Sequence, residues 1–185
     1  MLIFRSIAVD HLERRFRADA NVKILHLYLD YKSQQTQTAL NIGLKLLTQL
    51  LSGLNDIPEE LESLYSRGVR PDLTVCKRLL TSLAHKVPKI FAVLDAIDEC
   101  RDSHQSEILG LLKHLQQSGY RLLISSRPHL LQNLRDQLKD PEIMDIYADE
   151  SDLENYIKTR LHENGNKDQT LERKCLELAG TVHGM

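Results

Sequence analysis

Several things are scarce in this 185-residue chain, and each scarcity removes a class of function. No run of about 18 apolar residues occurs, so the sequence offers no membrane-spanning helix. The apolar start, Met1 to Phe4, is too short for a secretory signal and is soon followed by Asp10. Cysteine is limited to Cys76, Cys100 and Cys175, an odd number in no metal-type spacing, which fits a reducing, cytoplasmic setting. Charge of one sign is not in excess: 24 basic against 26 acidic residues leave −2. Lys and Arg are also dispersed, so neither nucleic acid nor an acidic membrane is an expected partner. Glycine is thin as well, with 8 residues, and none of them builds a phosphate-binding loop. The eight histidines show no H-x-x-x-H spacing and read as surface or interface residues.

What is present is a core and a rhythm. Apolar residues make up 42% of the chain and charged ones 27%, enough for one α/β-sized domain and the start of a second. Helical periodicity is expected over 3–16, 35–52, 72–86, 103–118 and 129–138, with a short helix from Asp56 through Tyr65 carrying Pro58 in its first turn. Leu40, Leu44, Leu47 and Leu51 are the expected buried stripe of the 35–52 helix. Strands are expected at 24–31, 90–95 and 121–126, with a short one at about Ile143–Tyr147. Strands alternating with helices imply a parallel sheet covered on both faces. Ser151 and Glu154 form a capping box that opens a helix, and a final helix carries Leu171, Cys175 and Leu178. The expected domains are therefore 1–150 and 151–185.

The chemistry concentrates at two strand ends. Phe91-Ala-Val-Leu-Asp95-Ala-Ile-Asp98-Glu99-Cys100 is an apolar run ending in an acid, a small residue and two more acids. Further on, Arg121-Leu-Leu-Ile-Ser-Ser126-Arg127-Pro128 is a second apolar run ending in a cation. In doubly wound sheets, ligands bind beyond the carboxyl ends of the strands. Carboxylate oxygens there suit Mg²⁺ through its water shell, and an arginine can offset charge on a phosphoryl group. A small residue at Ala96 would let phosphate and metal come close. The plainer reading is that the acids begin loops and Arg127 is solvated or pairs with one of them. Asp30, at the end of the first strand, is read as a loop-starting or capping acid. Cys100 is read as a small buried thiol, and Ser125 and Ser126 lack the G-x-S-x-G turn of a hydrolase nucleophile.

On these residues the chain resembles a known family. Phe91–Cys100 resembles the extended Walker B segment of NACHT-type signalling NTPases, of the STAND class of P-loop NTPases. Leu122–Pro128 resembles their sensor-1 strand. Ser6–Leu12, Leu27–Lys32, Asp149–Leu161 and Ala179–Met185 are similar to further segments, so the likeness covers almost the whole chain. It is to the NACHT domains of large fungal nucleotide-binding receptors, NOD-like in type, which resemble the nephrocystin-like group.

The resemblance implies a three-layer α/β/α fold in which Asp95 is the Mg²⁺-linked acid. It makes Asp98 and Glu99 the extended acids, Arg127 the phosphate sensor, and Asp95 with Ser126 the cofactor-binding pair. The cofactors it implies are Mg²⁺ with ATP or GTP, and the partners are other NACHT subunits or flanking receptor domains. Family phosphate loops read G-x-x-G-x-G-K-[ST], and that pattern would place Met1 at the lysine and Leu2 at the Ser/Thr. Neither residue can bind phosphate or Mg²⁺, and the first, central strand is missing with the loop. The expectation is thus a truncated module with weak or no nucleotide binding. An active NTPase whose phosphate loop is lost only to annotation, and a structural interaction module, remain the alternatives.

Overall fold

The computed structural model describes residues 2–52, 57–146, 150–163 and 173–174. Two compact units divide the chain, 1–141 and 142–185.

In the first unit, helix α1 (Leu2–Phe16) precedes strand β1 (Val22–Tyr28), and a 3₁₀ turn, Tyr31–Thr36, leads into α2 (Ala39–Leu51). Then come α3 (Glu59–Ser66), α4 (Leu73–Ala84), β2 (Lys89–Asp95), α5 (Asp102–Gln117), β3 (Arg121–Ile124) and α6 (Leu131–Gln137). The strands form a parallel sheet in the order β1-β2-β3, with Tyr28 opposite Asp95 and Leu94 opposite Ile124. The expected α/β fold with a parallel sheet is therefore present. The second unit contains α7 (Glu150–Glu163).

The core lies on one side of the sheet. Leu25, Leu27 and Leu29 alternate with Ile90, Ala92 and Leu94 to meet buried residues of α2, α4 and α5. The other side is thinly covered. Phe16 of α1 stacks on Phe91 at 5.3 Å, while Leu123 remains 42% exposed.

Caps follow local chemistry. The Thr38 hydroxyl accepts from the Asn41 N–H, and the Asp72 carboxylate accepts from the Val75 N–H, each satisfying a donor the helix leaves open. Pro58 stands at the N-cap of α3, one position before the first turn in which the sequence suggests it.

Three expectations are corrected. The stripe of α2 that reaches the core is Ala39, Ile42, Gly43, Leu46, Leu47 and Leu50, whereas Leu40, Leu44 and Leu51 pack at its margin. Residues 141–146 form no strand, so β3 is the sheet's edge among the described residues. Helix α7 already includes Ser151, which is therefore helical and does not act as an N-cap. Asp56, Tyr147, Leu171, Cys175 and Leu178 lie outside the described residues.

Candidate functional site

The carboxyl ends of the three strands meet in one acidic turn. Asp95 closes β2 and is 4% exposed. The Ser125 hydroxyl donates to its Oδ1 and in turn accepts from the Ala96 N–H at 3.0 Å. The Asp95 carbonyl accepts from the Leu29 N–H at 3.1 Å, which ties in the end of β1. Ala96 carries φ 58° and ψ 47°, a left-handed conformation that costs a non-glycine residue on the order of 1 kcal/mol. Hydrogen bonds from Ala96 N–H to Ser125 Oγ and from Ile97 N–H to the Ser125 carbonyl hold it there.

That sharp turn sends the next two acids in different directions. The Asp98 side chain is 2% exposed and accepts from Arg127 twice, from the backbone N–H at 3.1 Å and from Nε at 3.3 Å. The Arg127 side chain is nonetheless 65% exposed. Glu99 reaches the other way, its Oε2 accepting from the Tyr31 N–H at 3.0 Å. Asp30 caps the same 3₁₀ turn by accepting from the Lys32 N–H, in line with its reading as a capping acid. Gln37 completes the corner by donating to the Asp30 carbonyl at 2.8 Å.

So Asp95, Asp98, Glu99 and Arg127 do gather at one end of the sheet. Ser126 does not join them through its hydroxyl, which donates to the Arg127 carbonyl. Ser125 takes the place beside Asp95 instead. Alternation along an extended strand carries the signal, since Ser125 is the residue that returns towards β2. Cys100 is buried, its Sγ donates to the Ile97 carbonyl at 2.9 Å, and burial pushes the thiol's pKa up. It is held as an unreactive thiol.

Among the described residues no three His, Cys, Asp or Glu side chains converge as a metal-ligand group. Each acid is engaged separately, Asp95 by the Ser125 hydroxyl, Asp98 by the Arg127 N–H and Nε, and Glu99 by the Tyr31 N–H. Between α1 and the ends of β2 and β3 lies a cleft lined by Ala8, Val93, Asp95, Leu123 and Ser125, with a volume of about 20 Å³. That is room for roughly one water molecule. Asp95 suits Mg²⁺, which commonly takes one or two carboxylates and keeps its waters. The cleft does not fit a nucleotide.

A family model described as Nephrocystin 3, N-terminal matches residues 3–127. The chain belongs to the nephrocystin 3 N-terminal family. No curated protein matches it. The nephrocystin 3 N-terminal match begins in α1 and ends on Arg127, so it contains every residue of the acidic turn and its partners. Helices α6 and α7 fall outside it. Among the described residues no helix is long and apolar enough to cross a membrane.

Proposed function

We propose that this nephrocystin 3 N-terminal chain is the α/β body of a NACHT-type signal-transduction NTPase of the STAND class. It serves as a switch and oligomerisation platform and does not hydrolyse nucleotide by itself. Its partners are other NACHT subunits or flanking receptor domains, in the cytoplasm. The observation that carries this reading is the Asp98–Arg127 latch. A nearly buried carboxylate holds the arginine by its backbone N–H and its Nε, while the arginine side chain stays largely exposed.

Such a latch gives the strand ends two possible arrangements. Arg127 can stay on Asp98, or its guanidinium can leave for a competing anion, which would have to bind one arrangement better to shift the balance. Asp95 orients Ser125 and fixes the end of β3, and Glu99 fixes the loop after β1. A change at Asp98 acts on Arg127, two residues beyond Ser125. Mg²⁺, where bound, would supply a positive charge at Asp95 through its waters. No step is assigned to ATP or GTP, because neither a phosphate cradle nor a cleft of nucleotide size is present among the described residues.

Titration of the chain with a fluorescent ATP analogue and Mg²⁺, beside Asp95→Asn, tests the proposal. Asparagine keeps the acceptor for Ser125 but removes the charge. Weak binding that differs by less than about twofold between the two proteins is expected, because a charge-assisted contact through Asp95 would be worth roughly tenfold and a disabled site makes none. Tight binding that collapses in Asp95→Asn would overturn the disabled-site reading and restore the active NTPase.

A further inference from the structure

A second, open cavity lies away from the acidic turn, on the outer flank of α2. Its volume is about 240 Å³, and it is lined by Thr36, Asn41, Leu44, Lys45, Thr48 and Arg70. Asn41, Lys45 and Thr48 are spaced to share one face of the helix. Arg70 arrives from the loop before α4, 29 residues along the chain, and donates from Nη2 to the Asn41 side-chain oxygen at 2.5 Å. Asn41 is itself fixed, its amide donating to the Thr36 carbonyl at 2.6 Å. The guanidinium is thus oriented by a neutral amide, which leaves its charge uncompensated. Arg78 and Arg127, by contrast, face Glu60 and Asp98. Among the described residues no carboxylate lies within ion-pair distance of Lys45 or Arg70.

Lys45 and Arg70 are both exposed and line the same open cavity, so an anion seated there would be attracted by two like charges at once. The hydroxyls of Thr36 and Thr48 already donate to the Ser33 and Leu44 carbonyls, so Lys45 and Arg70 are the donors left for a ligand. A carboxylate would balance one of the charges. A phosphomonoester carries nearly two negative charges at neutral pH and three acceptor oxygens, which matches both. The volume is below that of a drug-sized pocket and suits a phosphate with a short stem resting on Leu44.

We infer that the Lys45–Arg70 cavity is a binding site for a phosphomonoester group. It is independent of the nucleotide reading, since it shares no residue with the acidic turn.

The test is titration of the ¹⁵N-labelled chain with inorganic phosphate and with a phosphoserine peptide, against the unphosphorylated peptide at matched ionic strength. Saturable amide shifts are expected at Asn41, Lys45, Thr48 and Arg70 with both phosphates. Lys45→Gln and Arg70→Gln should each weaken binding about tenfold, and Lys45→Arg should retain it. Tighter binding of the phosphopeptide would assign the source as a phosphorylated side chain, and equal binding would assign free phosphate. Shifts that never saturate, or that persist unchanged in the double Gln variant while its spectrum stays dispersed, would overturn the site.

Discussion

At the scale of single residues, the least forgiving position is a glycine. Gly43 sits in α2 where a Cβ would come within 2.8 Å of the Cys76 Sγ on α4. Cys76 is fully buried, and burial raises its thiol pKa to about 11, so it stays neutral and behaves as a packed apolar group. Alanine normally favours a helix over glycine by about 1 kcal/mol, yet overpacking a closed interface costs about 1–3 kcal/mol. Gly43→Ala is therefore expected to destabilise the chain, and Cys76→Ala to relieve that cost. Urea unfolding of both single variants and the double checks this. A coupling energy near zero would mean that the helices separate without penalty. The same scale shows what a sequence conceals. Phe91–Cys100 and Arg121–Pro128 announce acids and an arginine at strand ends, and the structure brings them together. Which serine turns inward, and that Asp98 rather than Asp95 holds Arg127, depend on the left-handed turn at Ala96. No apolar pattern records that turn.

Among elements, α2 explains both a misreading and a protected edge. Leucine or isoleucine recurs at Leu40, Ile42, Leu44, Leu46, Leu47, Leu50 and Leu51, so two overlapping apolar stripes fit the helical period. The stripe through Ile42, Leu46 and Leu50 is the buried one, and it lies beside Gly43, where α2 leaves no room for a Cβ against Cys76 of α4. The strand expected at 143–147 rests on β-branched and aromatic content alone, and residues 143–146 find no pairing partner to make a strand of it. At the edge of the sheet opposite β3, Gln49 of α2 reaches β1. Its oxygen accepts from the His26 N–H at 2.9 Å and its amide donates to the His26 carbonyl at 2.8 Å. One side chain thus imitates a neighbouring strand and blunts an edge that would otherwise invite pairing. Gln49→Leu keeps the volume and removes both bonds. Its expected cost is about 1–2 kcal/mol, with faster hydrogen exchange at the His26 amide. Unchanged exchange at His26 would show that the edge needs no guard.

For the whole molecule, the question is where the stability resides. Every buried apolar residue among those described falls between Val9 and Leu134. In the described part of 142–185, Met144 is 80% exposed, Ile146 60% and Tyr156 59%, while Ile157 and Leu161 are half-buried. Helix α7 is supported by local contacts, an i,i+4 pair between Glu154 and Lys158 and the Arg160 guanidinium over Tyr156. Exposed pairs of that kind contribute a few tenths of a kcal/mol each. A polypeptide ending at Pro141 should therefore fold cooperatively, with a melting temperature within about 4 °C of the full chain, the shift that roughly 1 kcal/mol produces. It should also keep the Arg127 amide as protected from exchange as before, because Asp98, Arg127 and their strands all lie within 1–141. Loss of the cooperative transition would place essential packing beyond Pro141. Retention with an unprotected Arg127 amide would mean that the latch, unlike the core, depends on residues 142–185.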